Sequence, residues 1–245
     1  MKSLLCFLAF LALLSIAPVA AVASPGYYLV TTYDQEDEAS IEFEYWNVKS
    51  HTGPAVNSPE IGLGYGVTSR WYTELFVADF HADGGPTTLS NFSWQNDFML
   101  TQGQYPVDVA IHTLIKRYHN TDSGIGFEFG PVLQTDIDRL QLNGNLFFER
   151  NYQDVQSNRM QMKYQWQARY RWKTLFSYGL QGFGELGEWR HWAPYDEQSH
   201  RIGPAVFSTV HLAHEQDIKF DAAVLGGSIS GKHAKTFVMR AQYNF

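Results

Sequence analysis

Long apolar runs are scarce in this 245-residue chain, whose mean hydropathy is −0.28. Only the N-terminus carries a run of about 20 apolar residues, the length that one membrane-spanning helix needs, so a bundle of transmembrane helices is excluded. Positive charge is also scarce, since 18 Lys and Arg face 25 Asp and Glu and no basic run occurs. With a formal net charge of −7 the chain is a poor partner for nucleic acid, and we expect none.

Cysteine is represented by Cys6 alone, which lies in that N-terminal apolar run. Residues 4–22 are apolar apart from one serine, a lysine precedes them, and the small residues Ala21 and Ala23 mark a cleavage site. This layout predicts a secretory signal peptide over residues 1–23. Cys6 comes too early to be a lipid-modified cysteine, which would follow the cleavage point.

Beyond residue 38 the dominant hydrophobic period is two residues. From Met160 to Trp172 the even positions are apolar and the odd positions are Gln, Lys or Arg. A helical period of 3.6 residues would place Lys163 and Arg171 among the apolar residues, so the pattern predicts strands. Twelve such segments occur, at 39–48, 58–67, 71–80, 92–101, 107–118, 124–134, 139–149, 160–172, 175–187, 201–212, 218–226 and 235–245.

The connections between these segments alternate in length. Short ones such as 68–70 and 173–174 alternate with long polar ones such as 81–91. This alternation is typical of outer-membrane barrels, and strands of about 10 residues span a bilayer when they are tilted. The sequence therefore predicts an all-β fold over residues 39–245: a transmembrane antiparallel up-and-down β-barrel of about 12 strands, with short periplasmic turns and long extracellular loops. Residues 24–38 are expected to be a periplasmic N-terminal lead-in.

The charged strand positions face the lumen in such a barrel, whereas a soluble sandwich or lipocalin-like barrel would turn its apolar side inward. The first seven strands predict an acidic wall. It consists of Glu42, Glu44, Glu74, Asp97, Asp108, Glu128 and Glu149. The last five predict a basic wall of Lys163, Arg169, Arg171, Lys219 and Arg240. The two walls either create a transverse field across an open lumen or pair with each other and close it.

The loop 188–200 is rich in aromatic and basic side chains. It predicts either a constriction folded into the lumen or an exposed surface loop, because long loops of rigid scaffolds gather functional groups. The candidate constriction residues are Trp189, Arg190, His191, Trp192, Tyr195 and His200.

The ends of several strands carry aromatic residues. Trp71 and Trp172 lie at predicted turn-side ends, and Trp46 and Trp94 lie at loop-side ends, as two interfacial girdles require. The chain also ends in an alternating strand that closes on phenylalanine. Its apolar residues include Phe237, Tyr243 and Phe245. This strand resembles the C-terminal signature by which the outer-membrane assembly machinery recognises bacterial barrels. We expect that machinery, outer-membrane lipid and lipopolysaccharide, and an unidentified small solute as partners.

Three residues challenge a uniform strand register. Pro131 and Pro204 fall inside predicted strands and predict a bulge or a strand end there. Asn96 would face lipid on the fourth strand, which makes that register doubtful. Gly182 to Gly187 match G-x-G-x-x-G, but the glycines lie in a strand and open no helix, so no dinucleotide cofactor is expected.

An outer-membrane hydrolase is the enzymatic alternative. Ser208 and His211 are three residues apart in a strand and face opposite sides, so they cannot form a nucleophile–base pair. His200 with Ser199 or Ser208 remains open, because such a dyad depends on spatial reach. No recurring ligand spacing predicts a metal site, and we expect neither a metal nor a cofactor.

From about residue 40 onward the sequence resembles small outer-membrane barrels of Gram-negative bacteria of the porin or transporter type. The stretches 62–75 and 197–204 carry this resemblance, and 62–75 also loosely resembles the barrel family associated with phenol-degradation operons. The resemblance implies a barrel in the outer membrane, and that family supplies no catalytic residues. The expected function is a narrow passive channel for small polar or amphipathic solutes. A non-conducting structural or adhesive barrel and a surface hydrolase are the alternatives.

Overall fold

In the computed structural model, which describes residues 28–32, 36–51, 53–120, 123–153, 159–212 and 216–245, the chain forms one antiparallel sheet. The strands are β1 (Ala39–Ser50), β2 (Val56–Thr68), β3 (Trp71–Ala82), β4 (Thr87–Met99), β5 (Asp108–Tyr118), β6 (Ile125–Ile137), β7 (Leu140–Tyr152), β8 (Gln161–Lys173), β9 (Phe176–Glu188), β10 (His191–Trp192), β11 (Ser199–His211), β12 (Asp217–Ile229) and β13 (Lys232–Asn244). The part of the chain that the structure describes contains no helix able to span a membrane. The predicted signal peptide and its cleavage site at Ala23 lie outside the described residues.

The sheet closes into a barrel because its first and last strands pair. β1 pairs with β13, and each other barrel strand pairs with its neighbours along the chain. The two-residue β10 only folds back on β9, so β9 pairs with β8 and β11. Twelve strands thus form the barrel, which confirms the predicted up-and-down antiparallel fold. At the closing edge, Phe245 N–H donates to Ala39 O at 2.9 Å, and Ala39 N–H donates back at 3.0 Å.

Side chains alternate between a buried inner face and an exposed outer face. In β1, Glu42 and Glu44 are buried, whereas Ile41 and Phe43 are 45% and 39% exposed. The same alternation runs through the other strands, with residues such as Leu63 exposed on the outer face. Apolar side chains outside and charged side chains inside are the arrangement that a barrel needs in lipid.

Pro131 and Pro204 differ from expectation, since neither causes a bulge or ends a strand. Pro131 pairs with Ile111 of β5, and Pro204 pairs with Leu180 of β9. The register on the other side of each proline continues unchanged beyond it. A proline lacks only one donor, so each strand loses pairing toward one neighbour and keeps it toward the other.

The register of β4 is regular around Asn96, although a shift at Ser90 interrupts its pairing with β3, and a tryptophan explains how the strand accommodates Asn96. Asn96 pairs with Thr73 and Thr113 on the outer face. The Trp71 indole N–H donates to its Oδ1 at 3.0 Å, and Asn96 is only 7% exposed. The amide is therefore shielded by an interfacial ring.

The girdle prediction was wrong for two of its four tryptophans. Trp46 occupies an inner position of β1 and is 2% exposed, so it belongs to the lumen. Trp94 faces outward but lies near the middle of β4, since that strand begins at Thr87. Trp172 is half exposed on the outside near a strand end, as an interfacial ring should be. Strand-end position alone does not decide the face of a side chain, because that depends on register.

The glycines of the G-x-G-x-x-G stretch serve packing on the outer face. Gly182 and Gly184 lie beside Trp166 and Tyr164 of β8 in the ladder. A Cβ at either glycine would overlap the neighbouring aromatic ring. The two glycines therefore let both rings lie flat against the sheet.

We expect Gly182→Ala to destabilise the barrel by about 1–3 kcal/mol, because its methyl group would push the Trp166 indole off the sheet. Gly144→Ala is the matched control, since Gly144 pairs with Trp166 from the other side and nothing lies within 4 Å of its absent Cβ. The control should unfold at the same urea concentration as the wild type or slightly higher. Urea-dependent unfolding in detergent micelles measures both, and equal destabilisation by the two substitutions would contradict this packing.

Candidate functional site

The structure places both predicted walls at inner positions of the barrel. The buried acidic residues are Glu42, Glu44, Glu74, Asp97, Glu128 and Glu149, and Asp108 is half-buried. We call the end of the barrel that carries the C-terminus and the β2–β3, β6–β7 and β8–β9 turns the short-turn end, and the opposite end, which carries the β9–β11 connection, the long-loop end. Of the basic residues, Lys163 is buried, Arg169, Lys219 and Arg240 are half-buried, and Arg171 is exposed near the short-turn end. The interior of the barrel is thus the candidate site.

A buried ionic network joins the two walls where they meet. His112 Nδ1 lies 2.7 Å from Asp97 Oδ1, and its Nε2 lies 3.6 Å from Glu128 Oε1. Lys163 Nζ donates to Glu128 Oε2 at 3.2 Å and also pairs with Glu149. These five side chains connect β4 to β8 across the inner face. Such a network is rigid only while every member has its partner.

Three other residues of the basic wall are paired with carboxylates, whereas the Arg169 guanidinium lies over the Phe207 ring, 5.1 Å from its centroid. Arg240 Nε donates to Asp221 Oδ2 at 2.9 Å, and Arg171 Nη2 lies 2.7 Å from Asp136 Oδ1. Lys219 Nζ lies 4.0 Å from Asp217 Oδ2. Most of the positive charge is therefore compensated locally instead of across the lumen.

Part of the acidic wall has much less local compensation. We call Glu42, Glu44, Glu60 and Glu74 on β1–β3 the acidic patch; all four are buried. Glu44 and Glu60 are direct partners in the β1–β2 ladder. Among the ion pairs of the described residues, none within 4.0 Å includes Glu42, Glu44 or Glu74. The patch therefore concentrates four carboxyl groups on one side of the inner face, where Arg240 is the ladder partner of Glu44.

Residues 28–32, here called the lumen segment, pass through the interior and belong to no strand. Val30 N–H donates to Gln165 Oε1 at 3.2 Å, and Asn145 Nδ2 donates to Val30 O at 2.8 Å. The expectation of a periplasmic lead-in over 24–38 therefore does not describe these residues. Because the segment pairs with no strand, inner amide side chains of β7 and β8 supply the hydrogen bonds of the Val30 backbone N–H and C=O groups.

Apolar contacts hold the lumen segment from both sides. Tyr28 packs against an inner cluster on β1, β9 and β11–β13 that contains Trp46 and Phe183. Val30 packs against a second cluster on β4–β7: Met99, Ala110, Val132 and Phe147. Leu29 is 3% exposed, and its carbonyl accepts from Arg240 Nη1 at 3.3 Å. The segment is thus wedged between opposite halves of the barrel.

Two polar cavities adjoin the lumen segment. One, of about 70 Å³, lies against Tyr28 to Val30 and is lined by the acidic patch. The other, of about 330 Å³, adjoins Thr31 and Thr32 and is lined by amides and by the charges of Arg169, Lys219 and Asp221. The wider cavity lies toward the short-turn end, because its lining residues include the ends of strands there.

The constriction predicted for loop 188–200 is not formed. Trp189, Trp192 and Tyr195 are 43%, 57% and 79% exposed, and Arg190 and His191 are exposed as well. Tyr195 stacks on His200 with ring centroids 5.1 Å apart, and His200 lies on the outer face beside Tyr164. β10 turns the loop back along β9, which carries its aromatic rings outward.

No serine meets His200 in the described residues. Ser199 Oγ donates inward to Glu185 Oε2 at 3.3 Å, whereas His200 Nδ1 lies 2.8 Å from Tyr164 OH on the other face. Ser208 Oγ donates to Leu175 O near the short-turn end. Within the residues that the structure describes, no group of three His, Cys, Asp or Glu side chains is arranged around a common metal position.

Sequence reasoning missed several inner residues whose signal was present. Glu60, His112 and Arg201 continue the alternation of the predicted walls, and each is buried. Arg201 Nη2 lies 3.2 Å from Glu185 Oε1. The predicted assembly residues, by contrast, all lie at outer positions of the last strand and the C-terminus: Phe237, Tyr243 and Phe245.

No family model and no curated protein matches the chain. Its fold is similar to that of the NanC porin, with 10% identity, a TM-score of 0.58, and coverage of 84% of this chain and 98% of that one. An outer-membrane channel from Pseudomonas putida F1 gives 10% identity and a TM-score of 0.59 over 91% and 98% of the two chains. The KdgM porin gives 7% identity and a TM-score of 0.51 over 81% and 97%. At these identities, the comparisons show a shared outer-membrane barrel fold.

We expect Lys163→Met to lower the free energy of unfolding by about 3–5 kcal/mol, because Glu128 and Glu149 would remain buried without their cation. Arg171→Met, on the same face of the same strand, is the control. The Arg171 and Asp136 side chains are 42% and 44% exposed, so this loss should cost less than about 1 kcal/mol. Urea-dependent unfolding at neutral pH compares them, and a small effect of Lys163→Met would show that the network is not a stabilising unit.

Proposed function

We propose that the protein is a narrow outer-membrane channel for small polar or amphipathic solutes, closed here by the lumen segment. The observation that carries this proposal is the pair of polar cavities on either side of a segment that no strand pairing holds. A barrel that served only as a rigid anchor would not need charged cavities at its centre. Three side-chain hydrogen bonds and two apolar contacts keep the segment in place, and these can be broken without opening the sheet.

The acidic patch is the proposed selectivity element. It lines the smaller cavity beside Tyr28 and Leu29, where a passing solute would be most confined. Rings or clusters of carboxylates favour cations in narrow pores. Phe76 and Leu114 line the same cavity, so a solute with an apolar part finds contacts there too.

The named neighbours support this proposal at the level of channel type. Two are called porins and one an outer-membrane channel. The resemblance of residues 62–75 to the barrels associated with phenol-degradation operons supports amphipathic solutes. We further propose that the outer-membrane assembly machinery recognises the outward aromatic residues of the C-terminal strand.

A non-conducting structural barrel is the second candidate. The apolar cluster around Trp46 and Phe183 favours it, because this cluster fills the inner face toward the long-loop end. Planar-bilayer recording separates the two candidates directly.

Asn145→Ala combined with Gln165→Ala removes both amide contacts to Val30 and should raise the fraction of time that the channel is open by about tenfold. The matched control is Asn143→Ala with Gln167→Ala, which removes the same residue types from the same strands but, within the described residues, no side-chain hydrogen bond to the lumen segment. The control should leave the open fraction near that of the wild type. Silence of all three proteins, with normal heat-modifiable mobility on gels, would favour the structural barrel.

The role of the acidic patch can be tested separately by measuring the preference of the channel for cations over anions. Glu42→Gln with Glu74→Gln should shift the reversal potential in a salt gradient toward zero, because the pore loses part of its preference for cations. Asp108→Gln, at the short-turn end and away from the patch, should change it much less. An unchanged reversal potential in the double variant would exclude the patch as the selectivity element.

A further inference from the structure

Four basic side chains cluster on the outer face where β1 and β13 reach the long-loop end. Lys49 pairs directly with Lys235 in the β1–β13 ladder. One step further out, His51 N–H donates to His233 O at 3.2 Å, so the two histidines are also neighbours. All four residues are exposed. We call them the closure patch, since they lie at the seam that closes the barrel.

The positive charge of the closure patch is not compensated. Within the described residues, no ion pair or side-chain hydrogen bond involves Lys49, Lys235, His51 or His233. Like charges directly opposite each other in a ladder are destabilising. The outer face next to Lys235 is open, because its β12 partner is Gly226 and nothing lies within 4 Å of where a Cβ would stand there. The site therefore has room for an anion between and beside the lysines.

The depth of the patch indicates which anion it meets. Below the lysines on the same face, Asn47 pairs with Phe237, and the Phe237 ring lies 6.4 Å from that of Tyr45. Aromatic rings of this kind mark the membrane interface. Two residues along a strand correspond to about 7 Å, which places Lys49 and Lys235 at headgroup level just beyond that interface. Since the long loops are extracellular in this fold, this is the outer leaflet.

We propose that the closure patch binds the phosphorylated sugar headgroup of lipid A in the outer leaflet. Two ammonium groups on adjacent strands can share one phosphate, each as a compact point charge. The two histidines add ring N–H donors toward the sugar-proximal side. Bound phosphate would also remove the repulsion between Lys49 and Lys235, so lipid would stabilise the seam between the first and last strands. This inference rests on the outer-membrane location and is independent of whether the barrel conducts.

The test measures binding of lipid A to the purified full chain in detergent micelles by native mass spectrometry. Lys49→Gln with Lys235→Gln should weaken binding of bis-phosphorylated lipid A about tenfold, whereas Lys49→Arg with Lys235→Arg should retain it. Lys173→Gln, which removes an exposed lysine at the opposite end of the barrel, should bind like the wild type. Dephosphorylated lipid A should bind the wild type and the double glutamine variant equally weakly.

Three outcomes would overturn the proposal. The first is that the double glutamine variant binds lipid A as tightly as the wild type. The second is that the two substitutions weaken binding of dephosphorylated lipid A as much as that of the phosphorylated form. The third is that an equimolar amount of inorganic phosphate displaces lipid A. Thermal unfolding supplies a second readout: lipid A should raise the midpoint of the wild type but not of the variant. If the double variant fails to fold, each single Lys→Gln variant should show about threefold weaker binding, and the same comparisons apply.

Discussion

Closure of the sheet is the constraint on which the rest of this structure depends. In lipid every backbone donor and acceptor needs a partner within the protein, and pairing of β1 with β13 removes the last free edge. Once the sheet is closed, the two-residue period of the sequence separates apolar side chains outside from charged ones inside. Two consequences follow at the seam between β1 and β13: the C-terminal aromatic residues face outward, and Lys49 pairs with Lys235 in the ladder.

The same closure confines charges that would be solvated on an open surface. Around Lys163 they satisfy one another, and this network ties β4 to β8. On β1–β3 the carboxylates remain clustered, and the lumen segment lies against them with cavities on both sides. The barrel thus has an ionic network on one side and clustered carboxylates beside a cavity on the other.

The sequence was sufficient to predict the strands and the faces of the wall residues, because the alternation of apolar and polar residues specifies the register of each strand. A shift by one residue would have turned Arg169 and its neighbours toward lipid. It was not sufficient to predict what fills the lumen. The alternation that turns Glu42 and Glu44 inward also turns Trp46 inward, but its place at a strand end favoured an interfacial girdle instead. The hydrogen bonds of Val30 come from residues more than a hundred positions away. The sequence left loop 188–200 between two alternatives, because its composition suits both an inward constriction and an outward anchor. Its direction is set by the two-residue pairing of β10 on β9.

Reversible tethering of the lumen segment tests most directly whether this segment closes a channel. Val30→Cys and Gln165→Cys can be joined by a cleavable thiol cross-linker, because the residues are in contact in the structure and the only native cysteine, Cys6, lies in the predicted signal peptide. If the lumen segment closes the channel, the bilayer is silent while the cross-link is intact and shows discrete conductance steps after it is cleaved. Identical conductance before and after cleavage would contradict closure by this segment.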